Sequence, residues 1–262
     1  MKNLMIYVNP NKSFSNGNWQ DETDVLAKVQ IDNSLAMGWK KEDMMLVTNF
    51  PYEYSGIKAI EVGDTNYCSF SDGTPSKINA ICELFDRGLI EDDLYWFHDF
   101  DAFQLEDLEM EIPDNMIALT RYGVCDPKKG LNGRWSTGSL FFGKDTKDIF
   151  QWIKEAVYKY QANEEVSLLA LTRHNRHGIS DRIRELNISY NFATRRRNII
   201  VGYEIAEKPL KVIHFHPYDK RDVYYLHNGK NNVEVCLHGK NPMNMPLVNE
   251  RLIGIFNRHG IN

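Results

Sequence analysis

Two aspartates, Asp99 and Asp101, end an apolar and aromatic run in LYWFHDFDAFQL, from Leu94 to Leu105. Leu94–Phe97 has the density of a strand buried in a parallel sheet. At the tip of such a strand a carboxylate loses hydration, and two of them repel each other. In extended backbone, residues i and i+2 point to the same side, so one divalent cation can satisfy both. The other reading is local: Asp101 caps a turn that starts at Ala102. A second constellation, KVIHFHPYDKRD from Lys211 to Asp222, alternates His214 and His216 with Ile213 and Phe215. Both imidazoles then face one way from an extended strand. Imidazole with carboxylates suits manganese and similar ions, whereas an all-oxygen site favours magnesium or calcium. Lys220, just beyond, carries the charge to neutralise a phosphate.

Such groups need a scaffold, and the chain supplies one in alternating order. Leu4–Val8 reads as a first strand that ends at Asn9-Pro10. Asp24–Met37 has helical spacing and stops at Gly38, Met44–Val47 is a second strand, and Ile57–Val62 a short third. Pro75–Phe85 is a helix with Ile78, Ile81, Leu84 and Phe85 on one face, followed by the strand Leu94–Phe97. Further strands are expected at Met116–Thr120, Gly138–Phe142 and Lys211–Phe215. Asp145 is expected to cap a helix over Thr146–Tyr160, which presents Ile149, Phe150, Ile153 and Val157 at helical spacing. A short helix begins at Glu164 and runs to Leu171. Val223–Cys236 reads as a hairpin about His227-Asn228-Gly229, and Val248–Phe256 as a closing helix. This order predicts an α/β protein with a doubly wound, mixed but mainly parallel central sheet. Sheets of that kind bind ligands beyond the carboxyl ends of their strands, which is where Asp99 and Asp101 stand.

A chain of 262 residues, 42% hydrophobic and 26% charged, suits an ordinary globular protein with a large core. The net charge of -5 excludes a generally basic, nucleic-acid-coating protein and leaves room for a local basic patch. Cys68, Cys82, Cys125 and Cys236 are scattered without a CxxC pair, which points neither to a zinc knuckle nor to a disulfide framework. The opening run MKNLMIYVNPNK is too short for a signal peptide, and no spanning segment follows. A cytoplasmic protein with no membrane and no obligate protein partner is therefore expected.

These residues resemble the GT-A glycosyltransferases, the glycogenin-like family in particular. That family carries Asp-x-Asp after an apolar strand and, late in the chain, His-Phe with a lysine six positions past the histidine. Here HDFDAF is followed about 115 residues later by VIHF, with Lys220 six positions after His214. Between them RWSTGSLFF (Arg134–Phe142) resembles the family's Asn-Thr-Gly segment beside the donor sugar, with Ser136 in place of its asparagine and Gly138 at its glycine. NEEVSLLALT (Asn163–Thr172) resembles its short acidic helix, and Lys77 lies where a basic residue often reaches the donor. Motifs in the right order across residues 1–222 carry the resemblance. Residues 223–262 are expected to pack on the same domain. The resemblance implies a GT-A (Rossmann-like) nucleotide-sugar-binding fold. Asp99, Asp101 and His214, with His216 beside them, would hold Mn²⁺ or Mg²⁺ against the diphosphate of a nucleotide sugar, a UDP-sugar being the expected donor. Lys220 would add a second counter-charge. The nucleoside would lie at Tyr7, Asn9, Thr48 and Asn49, whose other reading is ordinary turn chemistry. Glu164 and Glu165 stand near the sugar, as a base on the acceptor hydroxyl or as stabilisers of positive charge at the anomeric carbon. The family's second residue there is usually glutamine, so Glu165 leaves retention and inversion both open.

From Arg173 to Ile200, seven arginines face only Asp181 and Glu185, a local excess of +5 in a chain whose total is -5. Most charge runs are solvated faces. Arginine without lysine is also the preferred fork for phosphate, and Arg195-Arg196-Arg197 is its densest part. With the small single domain and TNFPYEYSGIKAI, this run resembles the compact phage and viral enzymes that glycosylate hydroxymethylated cytosine in DNA. DNA carrying 5-hydroxymethylcytosine is the acceptor this implies. For a flipped base, Tyr52, Tyr54, Trp135 and Tyr190 are stacking candidates, and each has simple packing as its other reading. The rival readings are a glycan or lipopolysaccharide glycosyltransferase, which shares the donor chemistry, and a non-catalytic carbohydrate-binding protein, which needs no ion for a diphosphate.

Overall fold

The computed structural model describes residues 1–14, 23–122, 134–193, 199–215, 233–235, 243–245 and 248–260. The chain runs β1 (Lys2–Tyr7), α1 (Thr23–Ala36), β2 (Met44–Thr48), β3 (Glu53–Tyr54), β4 (Ile57–Lys58), β5 (Ile60–Glu61), α2 (Ser76–Asp86) and β6 (Tyr95–His98). It continues through β7 (Ala102–Gln104), β8 (Ile117–Tyr122), β9 (Arg134–Phe142), α3 (Lys147–Tyr160), α4 (Glu164–Arg173), β10 (Ile183–Leu186) and β11 (Phe192–Ala193). After α5 (Ile199–Ile205) and β12 (Val212–His214) come β13 (Val233–Val235), β14 (Met243–Met245) and α6 (Glu250–Arg258).

Seven strands form the central sheet in the order β10-β8-β9-β6-β1-β2-β5. Only β9 runs antiparallel to its neighbours, so the sheet is mixed and mainly parallel, as expected. Alternate residues of β1 serve opposite faces, as a strand's period of two requires. Leu4 and Ile6 pack with Ile78 and Ile81 of α2, Ile149 and Phe150 of α3, and Leu168 of α4. Met5 packs with Leu26 and Ala27 of α1 and with Leu252, Ile255 and Phe256 of α6. Every residue of β6 is buried, because the strand lies between β1 and β9 with helices over both faces. No helix among the described residues is long and apolar enough to cross a membrane.

The structure corrects several local expectations. The segment Ile57–Val62 is not one strand. Ser55 and Gly56 take positive φ values of 53° and 78°, which turns β3 onto β4 as a tight hairpin, and only β5 joins the central sheet. Asp145 does not cap the following helix. A 3-10 turn over Lys144–Thr146 intervenes, so Thr146 occupies the N-cap position and Asp145 sits one residue too early. The turn expected at His227–Gly229 lies outside the described residues, and Val233–Val235 pairs with Met243–Met245. Most important for the site, β12 belongs to a separate three-stranded sheet, β11-β12-β7.

The closing helix is anchored under that small sheet. Phe256 is fully buried and meets Phe103 of β7 edge-on, with ring centroids 5.1 Å apart. Phe256→Ala should lower unfolding stability by about 3–5 kcal/mol, the cost of an aromatic cavity in a packed core. Urea titration of the two proteins checks this, and a loss below about 1 kcal/mol would mean that α6 is not part of this core.

Candidate active site

β6 ends at His98, and the chain turns at once. The Ala102 N–H bonds to Asp99 O at 3.0 Å, and β7 begins at Ala102. A tight turn rather than extended backbone therefore joins the two aspartates, and no helix follows for Asp101 to cap. Three other segments hold the turn. Gln30 of α1, 1% exposed, donates from Nε2 to Phe100 O at 2.9 Å and to Ala102 O at 2.8 Å. The Phe215 N–H bonds to Asp101 O at 2.8 Å, and the Asp99 N–H to Gly138 O at 2.9 Å.

Pairing of β12 with β7 sets His214 opposite Ala102. One ligand atom from each of Asp99, Asp101 and His214 then falls within 4.8 Å of the others, close enough for a single divalent ion to engage all three. His214 Nε2 lies 3.1 Å from Asp101 Oδ1. Gly138 of β9 makes this approach possible. A Cβ at that position would lie 2.1 Å from His214 Cε1, 2.7 Å from its Nδ1 and 3.0 Å from Asp99 Oδ2.

Beside these groups lies a buried ion pair network. Lys77 of α2 places Nζ 2.9 and 3.1 Å from the two carboxylate oxygens of Asp99 and 3.1 Å from Glu164 Oε1. Glu164, 3% exposed, also accepts from Thr137 Oγ1 at 2.9 Å. Asn163 caps α4 by accepting from the Val166 N–H, which aims the first turn of α4 at β9. The half-buried Glu165 accepts from the Thr137 N–H at 3.3 Å.

Electrostatics follow from this crowding. Burial pulls the Lys77 ammonium down, but Asp99 and Glu164 outweigh it, so its pKa is raised. Burial raises Asp99, with Asp101 adding to the effect against the pull of Lys77. Burial also works on Glu164, yet Lys77 and the Thr137 hydroxyl hold its pKa below the ordinary value. Glu165 lacks so close a cation, and desolvation pushes it up to about 7. His214 is raised, because Asp101 and Asp99 overcome its burial.

The remaining expected residues divide into groups. Lys77, Glu164, Glu165 and Gly138 surround the aspartates and His214 as described, and Ser136 is linked to His214 through Asn191. Tyr7, Asn9, Thr48 and Asn49 lie together at the ends of β1 and β2, where their side chains tie the loops to each other. Asn9 N–H donates to Asn49 Oδ1 and Asn49 Nδ2 to Asn9 O, both at 2.9 Å, while Asn9 Nδ2 donates to the Tyr7 hydroxyl. Thr48 Oγ1 donates to Phe50 O. His216, Lys220, Arg195, Arg196 and Arg197 lie outside the described residues. The four stacking candidates are packed. Tyr52 bonds Asp24, Tyr54 bonds Asp32, Tyr190 bonds Glu109 O, and Trp135, 4% exposed, bonds Thr172 beneath the Arg121 guanidinium. Two residues that hold the site went unnoticed in the sequence, Gln30 and Asn191. Asn191 donates from Nδ2 to Ser136 Oγ at 2.8 Å, and its Oδ1 lies 2.9 Å from His214 Nδ1. Neither residue belongs to a chemical motif, and only the tertiary fold brings them to their partners.

No protein-family model matches the sequence, and no curated protein sequence matches it either. Solved structures do match. The galactosyltransferase LgtC, determined with donor and acceptor sugar analogues, superposes with a TM-score of 0.54 at 13% identity, over 84% of this chain and 88% of that one. The glycosyltransferase GlyE of Streptococcus pneumoniae TIGR4 gives 0.53 at 13% identity, over 83% of this chain and 55% of that one. The bifunctional glycosyltransferase WbbM gives 0.50 at 12% identity, over 83% and 46%. The chain has the GT-A fold.

Gly138→Ala should lower stability by about 1–3 kcal/mol through overpacking. It should also weaken Mn²⁺ binding by about tenfold or more, because the methyl group displaces the imidazole. Thermal melts and calorimetric titration check both effects. Glu165 provides a pH test on the metal-free protein. Its carboxyl binds a proton more tightly folded than unfolded, so its contribution to stability is present below pH 4.5 and is lost as pH rises towards 7. Glu165→Gln removes that loss. The variant should match wild type near pH 4 and exceed it above pH 7 by about 2 kcal/mol, allowing for partial exposure. Melting curves with chelator present, recorded across that range, measure the difference.

Proposed function

We propose that this chain is a metal-dependent glycosyltransferase, moving a sugar from a nucleotide-diphosphate sugar to an acceptor hydroxyl. The observation that carries the reading is the convergence of Asp99, Asp101 and His214 at the carboxyl end of a parallel strand in a GT-A fold. Two carboxylates and an imidazole fit Mn²⁺, with Mg²⁺ the alternative. A bound ion would supply a Lewis acid against the charge of the leaving nucleoside diphosphate, for which a UDP-sugar is the proposed source. Lys77 keeps the neighbouring carboxylates from repelling one another and stands as a cation beside the same diphosphate. Glu164, paired with Lys77 and Thr137, is a fixed anion suited to stabilising positive charge at the anomeric carbon. Glu165 exchanges its proton near neutral pH, so it is the proposed base on the acceptor hydroxyl.

Two acceptors have a specific observation behind them. DNA containing 5-hydroxymethylcytosine is supported by Arg173 at the end of α4 and His174, Arg176 and His177 just after it, all exposed. Arg173 lies roughly 14 Å along the helix from Glu164, a distance that suits a backbone phosphate near a flipped base. A glycan is supported by the likeness to LgtC, a galactosyltransferase whose structure holds an acceptor sugar analogue.

Purified protein should hydrolyse one of a panel of nucleotide sugars slowly in Mn²⁺ and lose that activity with chelator. Asp101→Asn should abolish it while leaving the circular dichroism melt within a few degrees of wild type. Normal turnover by Asp101→Asn in Mn²⁺ would refute the ion site. Adding hydroxymethylated DNA, plain DNA or free glycans to the same reaction then identifies the acceptor by which one takes up label.

A further inference from the structure

The two nitrogens of the His214 ring have different neighbours. Nε2 faces Asp101 Oδ1 at 3.1 Å, and Nδ1 faces Asn191 Oδ1 at 2.9 Å. Asn191 is 2% exposed, and its amide is held at both ends, since Nδ2 donates to Ser136 Oγ at 2.8 Å. An amide oxygen only accepts hydrogen bonds, so the ring nitrogen opposite it must carry the proton. We propose that Asn191 is a positioning residue, which keeps the His214 proton on Nδ1 so that Nε2 is the nitrogen offered to a divalent ion beside Asp99 and Asp101. The inference rests on the reading of those three residues as an ion site.

The backbone makes the arrangement rigid. Asn191 ends the 3-10 turn Ile188–Asn191 and immediately precedes β11, which pairs in parallel with β12 so that Ala193 lies beside His214. The asparagine therefore stands just before one strand and the histidine on its neighbour in the same small sheet. Buried Gln30 holds two carbonyls and Asn33 donates to Gln104 O, whereas Asn3 bridges Ser34 Oγ and His98 Nε2 much as Asn191 bridges Ser136 Oγ and His214 Nδ1. Both ends of the Asn191 amide go to side chains of the candidate site. Ser136 thereby spends its hydroxyl as an acceptor for Asn191. An ion arriving at Nε2 finds the Nδ1–H bond already made, so the ring needs neither a flip nor a new partner. Second-sphere acceptors of this kind set the tautomer and orientation of a ligating imidazole.

The test combines nitrogen NMR of ¹⁵N-histidine-labelled protein with Mn²⁺ affinities from electron paramagnetic resonance. In the Zn²⁺-loaded protein, where the ion takes the place of the proton that Asp101 favours on Nε2, His214 should be protonated at Nδ1. Asn191→Leu should bind Mn²⁺ about 10- to 100-fold more weakly. Asn191→Asp, which keeps an acceptor oxygen in the same place, should stay within a few-fold of wild type. A Zn²⁺-loaded wild type with His214 protonated at Nε2 and Nδ1 bare would overturn the proposal, and so would a folded Asn191→Leu protein with undiminished Mn²⁺ affinity. Should Asn191→Leu fail to fold, the spectrum of the Zn²⁺-loaded wild type decides. If wild type binds no Mn²⁺, it is the ion-site reading that falls, whereas a Zn²⁺-loaded protein with Nδ1 bare overturns only the role of Asn191.

Discussion

One ammonium group, that of Lys77, stands among carboxylates that could not otherwise share so small a buried volume. It reaches Asp99 and Glu164 directly, and Asp101 and Glu165 lie in the same electrostatic neighbourhood. A buried carboxylate without a partner costs several kcal/mol, and like charges side by side cost more. Lys77 relieves Asp99 and Glu164, and the His214 imidazole relieves Asp101 at 3.1 Å. Four carboxylates outnumber these cations and leave the cluster net negative; burial, with neighbouring carboxylates adding to it, raises the pKa values of Asp99 and Glu165. A divalent cation is the natural complement to that excess. The geometry and the charge balance thus point to the same ligand by separate routes.

The rest of the fold can be understood as the means of holding this cluster together. β6 ends at its edge, where the chain turns, and Gln30 and the Phe215 N–H fix that turn. The small sheet β11-β12-β7 carries the imidazole in from a part of the chain more than a hundred residues away. Gly138 leaves out the one side chain that would keep that ring apart from Asp99. α4 brings two glutamates to β9 because Asn163 starts the helix at that point. The effect of these devices is to place groups from five separate segments around one volume.

Much of this was legible in the sequence, for identifiable reasons. The continuous apolar run of β1 and the period of 3.6 in α2 and α3 mark buried elements, and the sequence places those elements within a residue or two. The aspartate pair and His214 stand out because charge and imidazole follow apolar runs. What the sequence conceals is whatever depends on pairing between distant segments. The pattern of Lys211–Phe215 looks the same whether it joins the central sheet or a second one. Gln30 sits on a helix as an ordinary polar residue, and Asn191 looks like turn chemistry. Asp145 misled because a 3-10 turn leaves no mark on the hydrophobic pattern. The tight turn between Asp99 and Asp101 shows the limit most clearly, since two residues expected to converge through extended backbone converge through a turn.

One ion site facing a nucleoside diphosphate is the proposed role of these side chains. Crystals grown with Mn²⁺ and UDP, measured at the manganese absorption edge, address it most directly. The expected result is one anomalous peak in contact with carboxylate oxygens of Asp99 and Asp101 and with Nε2 of His214, and diphosphate oxygens on its open side. Manganese held elsewhere, or a diphosphate bound away from all three residues, would contradict it.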